Sequence, residues 1–297
     1  MATIPPFFLD CVVAIGNQDD TQQVSWVASG FFYGSESEEP DGGWGETGRQ
    51  YRLWLVTNRH VVESLANPIV RVDSDNGSQA LEIPIVSQWT DGQVEWINHP
   101  DPDVDVAVTP LNISFLQGLG AKLKFFTQTL SAAKLTEMRD LGMFEGQNGF
   151  LLGFPMSLVS GPTNAVIVRQ ACIARIRDAY EGNSKSFLFD GAVFPGNSGG
   201  AAIVVPESIA ITGTTALNSA FLVGVVASYV AYREVAISQQ TKMPRMIFEE
   251  NSGLTNIFPV DTIDETIVHA MSIARELASQ ASAPSPEVVV PSNGVND

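Results

Sequence analysis

Apolar residues along this chain fall mostly in short runs rich in β-branched and aromatic types, broken by Gly, Asn, Asp and Pro. That rhythm belongs to strands joined by turns. Residues 8–15 read as a strand ending at Gly16-Asn17, and Gln22–Tyr33 as a longer one in which Gly30 marks a bulge or a close backbone approach. Tyr51–Thr57, Ile69–Asp73, Leu81–Ser87, Val94–Asn98 and Asp105–Leu111 follow. Strands this short, with turn signals between them, predict a small antiparallel barrel, because closure protects their edges. Between Tyr33 and Tyr51 the rhythm fails: Ser35–Gly48 is acidic and Gly-rich and predicts a surface insertion. After a connector over 112–147, with one short helix at Ala132–Leu141 stopped by Gly142, strand signals resume. They lie at Gly149–Gly153, Ala165–Ile176, Ser186–Phe189, Ala201–Val205, Phe221–Val230 and Asn256–Val260, and predict a second barrel.

From Asp261 the period changes. Ile263, Ile267, Ala270, Met271, Ala274 and Leu277 recur at helical spacing behind a capping-box-like Asp261–Asp264. This predicts a helix with one apolar face, docked on the second barrel. Residues 281–297 have no periodicity and read as a disordered tail. The expected fold class is all-β: two six-stranded antiparallel β-barrels with a C-terminal α-helix. The expected units are an N-terminal barrel over 1–125, a connector and second barrel over 126–260, the helix over 261–280 and the tail.

Candidate chemistry centres on Phe194-Pro195-Gly196-Asn197-Ser198-Gly199-Gly200. A serine hydroxyl needs a base beside it to become a nucleophile, and an anion site in front of it. Gly196 can adopt backbone angles that turn its own N–H and that of Ser198 the same way, as an oxyanion hole requires. On the heptapeptide alone, a surface turn of Gly, Asn and Ser is an equal reading. A base is available in His60, one of three histidines, at the end of a short polar turn, Thr57-Asn58-Arg59, into which the apolar strand ending Leu55-Val56 runs. Asp105, which opens the run Val106-Ala107-Val108, can hold the imidazole in one tautomer.

Thr57-Asn58-Arg59-His60-Val61-Val62, Asp105-Val106-Ala107-Val108 and Gly196-Asn197-Ser198-Gly199-Gly200 together resemble the chymotrypsin/trypsin-like serine peptidases, most of all the bacterial HtrA/DegP-like branch. The order His, Asp, Ser is the chymotrypsin order. The intervals, 45 and 93 residues, suit one acid on the first barrel and a serine on the second. Gly153-Phe154-Pro155 resembles a Gly-Tyr-Pro turn of the HtrA-like chains. The resemblance spans roughly residues 8–260 and implies a serine endopeptidase. His60 would be the base, Asp105 the orienter and Ser198 the nucleophile, with the N–H groups of Gly196 and Ser198 as oxyanion donors. The alternative is a conditionally inactive or non-catalytic peptidase fold serving as an interaction module.

The resemblance also implies a substrate pocket from Ala192, Val193, Ala227, Ser228 and Tyr229. None is charged, so small or medium apolar residues are expected before the cut rather than Lys or Arg. Two departures matter. Asn197 stands where pancreatic enzymes carry the Asp that pairs with a new N-terminal amine, so activation by such a cleavage is not expected. Ala227 stands where the family often has a Ser or Thr bonding to the orienting acid. The mobility of glycine at 196 further predicts control by loop order, through a peptide flip that withdraws one oxyanion donor.

Composition narrows the partners. The formal net charge is −17, from 33 acidic and 16 basic residues. A nucleic-acid partner is not expected, since it wants a basic footprint; a protein or peptide substrate is, with an activating protein partner as a further option. No basic residue precedes Arg49 and no apolar run is long enough for a bilayer, so neither a secretory leader nor a membrane partner is expected. With two cysteines, Cys11 and Cys172, a cytoplasmic bacterial protein with reduced thiols is expected. No PDZ domain is expected after the helix. No cofactor is expected, and no metal, as His, Cys and Glu show no zinc-like spacing. His99 and His269 are given no functional role.

Overall fold

The computed structural model describes residues 4–37, 50–85, 95–207 and 215–281. Most of the acidic insertion, and the tail beyond Ala281, therefore lie outside the described residues. The first departure from the sequence pattern comes at Pro5-Pro6. A proline fixes φ at a value suited to the first helical turn, so residues 6–10 coil into α1 (Pro6–Asp10) and the strand begins later, as β1 (Val12–Gln18). Phe8 is thereby buried, edge-on to Phe126 at 5.0 Å between centroids. β2 (Val24–Glu36) and β3 (Tyr51–Thr57) follow, then a single helical turn, α2 (Arg59–Val62). The unit continues with β4 (Pro68–Val72), β5 (Leu81–Pro84), β6 (Ile97–Asn98), β7 (Ala107–Pro110), α3 (Ile113–Gly118) and β8 (Phe126–Thr127), and a connecting helix, α4 (Leu135–Asp140), leads to the second unit. α3 had no apolar signal of its own; Asn112 caps it, accepting from the Phe115 N–H at 2.9 Å.

The strands of this first unit make one eight-stranded sheet in the order β5-β4-β1-β2-β3-β7-β6. β8 pairs parallel with β2 at Tyr33 and Gly34, just beyond the stretch of β2 that β1 covers. Gly30 proves to be a close approach: a Cβ there would lie 2.7 Å from Ile15 and 2.9 Å from the Val56 carbonyl. Among the described residues β5 and β6 do not pair, and the first unit is described as this one sheet.

The second unit closes. β9 (Asn148–Gly153), β10 (Ile167–Arg175), β11 (Phe187–Asp190), β12 (Ala201–Val204), β13 (Phe221–Ile237) and β14 (Pro244–Pro259) form a barrel in the order β10-β11-β14-β13-β12-β9, with a helical turn, α5 (Arg177–Tyr180), after β10. β13 and β14 are far longer than their apolar runs predicted. Beyond the barrel they continue as a two-stranded ribbon, exposed over 232–237 and 244–252. The fold is thus all-β, a six-stranded barrel and a second sheet, with α6 (Val260–Ala281) at the C-terminal end.

α6 follows β14 with no intervening loop, and it lies across both units, against β6, β7, β13 and β14, rather than on the second barrel alone. Ile263, Ile267 and Ala270 enter a cluster shared with Phe31, Trp54, Val108, Leu222 and Phe258. The acids read as a capping box serve elsewhere. Asp261 accepts from the Leu135 N–H of α4 at 2.9 Å, and Asp264 takes the Tyr33 hydroxyl at 3.0 Å and Lys134 at 2.7 Å. Each unit keeps its own apolar interior, one around Ile15, Phe32 and Leu55, the other around Met138, Phe189 and Val226. The shared cluster welds the two, and along that seam Ser29 of the first unit meets the 194–200 loop of the second.

Candidate active site

β3 ends at Thr57, whose hydroxyl donates to the Ser29 carbonyl at 2.8 Å, and α2 turns His60 outward. Two neighbours moor the loop that carries Asp105. The Asn58 amide donates to the Asp105 carbonyl at 2.6 Å, and the Arg59 guanidinium donates to the carbonyls of His99, Asp101 and Pro102 at 2.6, 3.2 and 2.9 Å. His99, buried, braces the same loop from behind: its Nδ1 accepts from the Asp101 N–H and its Nε2 meets Glu265 of α6 at 2.9 Å. Asp105 then holds His60 twice. One carboxylate oxygen accepts the His60 backbone N–H at 3.0 Å and the other faces ring Nδ1 at 2.6 Å. A carboxylate there requires Nδ1–H, which leaves Nε2 as the free basic nitrogen. The hydrogen bond to Asp105 raises the imidazole pKa above its ordinary value, against partial burial. Burial pushes the Asp105 carboxyl upward, but its bonds from the His60 ring and backbone outweigh that and hold it below the usual range. A Ser or Thr in place of Ala227 is therefore not needed to give both oxygens of Asp105 a partner.

The loop over 194–200 is built as a Pro-Gly turn. The Asn197 N–H donates to the Phe194 carbonyl at 3.0 Å, with Pro195 and Gly196 between them and Gly196 at φ +99°. The first unit and β9's end clamp it. Ser29, fully buried on β2, uses every polar group it has: its hydroxyl donates to the Gly196 carbonyl at 2.7 Å and accepts the Phe154 N–H at 2.8 Å, its N–H donates to the Ser198 carbonyl at 2.9 Å, and its carbonyl takes Thr57. The Pro195 carbonyl accepts the Met156 N–H at 2.6 Å. A trans peptide points its C=O and N–H in opposite directions, so the Gly196 N–H faces away from Met156. Among the described residues neither it nor the Ser198 N–H meets an acceptor. A Cβ at Gly196 would strike the Phe154 carbonyl, and at Gly199 the Thr57 hydroxyl and the Ser29 carbonyl. These glycines make room for the protein's own backbone.

The Ser198 hydroxyl, half-buried, donates to the Ala227 carbonyl at 3.2 Å and not to His60. Asn197 is 2% exposed, and its Oδ1 has no partner among the described residues. The pocket residues divide. Ala192 is half-buried and Ser228 exposed, and Ala227 presents its carbonyl to Ser198. Val193 is 4% exposed and packs inside the second barrel with Val226 and Ile257. Tyr229 leans along the ribbon, its hydroxyl donating to Glu249 at 2.9 Å. Sequence reasoning missed Ser29, Asn58, Arg59 and also Arg169, whose guanidinium lies 5.1 Å over the exposed ring of Phe194. Arg169 is half-buried on β10, on the side of the strand that further along carries buried Ala171 and Ile173, and nothing local marks that side as adjoining the loop. Clefts of 720, 920 and 420 Å³ open elsewhere, and His60, Asp105 and Ser198 line none of them.

No protein-family model matches the chain, and no curated protein matches it. Among solved structures it is similar to the apo protease domain of MamO from Magnetospirillum magneticum, at 16% identity and TM-score 0.43 over 87% of this chain and 96% of that one. It is also similar to neuropsin, a serine protease expressed in the limbic system of mouse brain, at 14% identity and TM-score 0.43 over 86% and 92%. Among the described residues no helix is long and apolar enough to cross a membrane.

Proposed function

We propose that the protein is a trypsin-like serine endopeptidase, related to the HtrA type, working through His60, Asp105 and Ser198. The observation that carries this reading is the doubly held His60, ring and backbone both on Asp105, at a seam shared with a glycine turn whose N–H groups at 196 and 198 lack acceptors. Ser198 attacks the substrate carbonyl as His60 Nε2 takes its proton, and the same proton passes to the leaving amine. Asp105 keeps the tautomer and stabilises the imidazolium. The N–H groups of Gly196 and Ser198 bind the oxyanion; a preset donor of this kind contributes on the order of 10²–10³ in rate. The pocket contributed by Ala192 and Ala227 has no counter-charge, and Arg169 beside Phe194 adds a cation, so apolar residues before the cut are preferred over Lys or Arg.

One observation favours a second reading, a peptidase fold inactive until engaged: the Ser198 hydroxyl rests on the Ala227 carbonyl. Among the described residues β13 has no strand partner other than β14 beyond Val226. An extended substrate laid on that edge would offer a backbone N–H to Ala227 and free the hydroxyl to turn to His60. Labelling with a fluorophosphonate probe tests both readings. The enzyme reading expects labelling that Ser198→Ala abolishes; the second expects labelling only once a peptide is added.

A further inference from the structure

His99 is a histidine that the proposed chemistry leaves unused. Its side chain is only 5% exposed, yet every polar group it has is engaged. Its backbone N–H donates to the Val106 carbonyl at 3.0 Å, which closes the loop over 99–106 immediately beyond Asp105. Its carbonyl takes the Arg59 guanidinium, and its ring Nδ1 accepts the Asp101 N–H at 3.0 Å. A ring nitrogen that accepts does not carry the proton, so the proton lies on Nε2 and is donated to the Glu265 carboxylate at 2.9 Å. His60 is held in the opposite tautomer, with Nδ1–H on Asp105. Two histidine–carboxylate pairs of reversed tautomer thus share one loop, His60 at Asp105 and His99 at the loop's neck.

Glu265 lies in the second turn of α6. The apolar face of that helix, through Ile263 and Ile267, belongs to one cluster with Ile97, Val104, Val106 and Val108, residues at the neck of the loop and beside Asp105. The helix therefore meets the loop with both faces, one apolar and one through Glu265. Lys185 of the second unit also ties it, to Asp101 and Asp103 at 2.6 and 2.9 Å. Exposed pairs of that kind contribute little. The neck is different, because His99 is buried. Glu265 is itself 60% exposed, so removing it matters less as a lost charge than as a lost acceptor for a buried ring N–H. A ring that turns to find another acceptor gives up the Asp101 bond, and the neck moves with it. We propose that Glu265 and His99 are positioning residues, through which α6 sets where Asp105 meets His60. The proposal rests on the reading of His60, Asp105 and Ser198 as a triad.

Glu265 variants of the full chain test it, since the position is exposed and alanine suits a helix interior. Glu265→Ala should lower kcat about tenfold with KM unchanged, because a small displacement of the orienting acid costs rate rather than binding. Glu265→Gln keeps an oxygen that accepts from Nε2–H, and should stay within about twofold of wild type. Imidazole nitrogen NMR without substrate gives a readout that packing alone would not move. With three histidines the spectrum is simple. Wild type should show His60 as the Nδ1–H tautomer and His99 as the Nε2–H tautomer. Asp105 and Glu63 are the carboxylates that raise the His60 pKa, and Glu63 follows α2 rather than the loop. The His60 titration midpoint should therefore fall in Glu265→Ala, as the Asp105 bond loosens, and return in Glu265→Gln. His99→Asn keeps a short acceptor for the Asp101 N–H but cannot reach Glu265. It should behave like Glu265→Ala, and combining the two should change nothing further. Wild-type kcat and an unmoved His60 midpoint in Glu265→Ala overturn the proposal. So does a lowered Tm with the midpoint unmoved, which would make the pair a packing contact only. A wild type that a fluorophosphonate does not label would remove the peptidase reading, while the His60 midpoint in Glu265→Ala would still decide the positioning.

Discussion

Ser29→Ala is the most informative substitution outside the proposed triad. Ser29 touches neither His60 nor Asp105, yet its hydroxyl joins the Gly196 carbonyl at 2.7 Å to the Phe154 N–H at 2.8 Å, in a site with no solvent exposure. Alanine removes one acceptor and one donor and leaves two buried backbone groups unpaired. Each such group costs about 1–3 kcal/mol. If both stayed in place, stability would fall by roughly 2–6 kcal/mol; if the loop relaxed, part of that would become a preference for a misplaced Gly196. A bias of about 1–3 kcal/mol lowers the population of the competent loop by roughly 5- to 150-fold. The assay is kcat/KM on a peptide or activated ester, with thermal unfolding measured in parallel. Ser157→Ala is the control, since its hydroxyl also crosses the seam, to the Trp26 carbonyl at 2.6 Å, without touching the loop. Ser29→Ala should lower kcat/KM and Tm together, and Ser157→Ala should leave kcat/KM unchanged. Wild-type turnover and wild-type Tm in Ser29→Ala would refute the view that this clamp sets the turn at Gly196.

Other expectations follow from the same geometry. Ser198→Ala should abolish hydrolysis, a loss on the order of 10⁶ in kcat, and Asp105→Asn should cost on the order of 10⁴ by favouring the wrong imidazole tautomer; near-wild-type rates in either would remove them from the mechanism. Because Asp105 raises the His60 pKa and only neutral imidazole accepts the proton, the acid limb of kcat/KM against pH should have its midpoint above the ordinary histidine value. In Asp105→Asn that limb should move to lower pH, which a pH–rate profile reads directly. Asn197→Asp should put an unpaired carboxylate at a position 2% exposed. Its folded pKa would lie above the unfolded value of about 3.9, so the penalty is absent below that pH and grows as pH rises. Tm should therefore fall further below wild type at pH 8 than at pH 4, by up to about 3–5 kcal/mol of stability; an equal deficit at both would mean the side chain reaches solvent.

Local pattern determined a good deal here by itself. β3 runs over Tyr51–Thr57, as its mostly apolar run predicted, and β9, β10, β11 and β12 lie within a residue or two of their apolar segments. The helical period after Asp261 marked α6, because burying one face imposes a repeat that shows without the rest of the fold. His60, Asp105 and the glycine turn were legible as types in order, since nucleophilic chemistry needs those groups and few others. What decided the rest was contact between segments far apart in the chain. Ser29 looks like any strand serine until β2 meets the 194–200 loop, 167 residues away from it at Gly196. Asp261 and Asp264 read as a cap, but α6 starts straight out of β14 and the acids turn to Leu135, Tyr33 and Lys134. That Val193 packs among Val226 and Ile257 shows only once the barrel has closed. The ribbon is the sharpest case. Its residues are too mixed in polarity to predict a strand, because no face of it is buried in this chain, and periodicity records only what burial selects. Main-chain pairing with the facing strand holds it extended, and that partner is visible only once the barrel has brought β13 and β14 side by side.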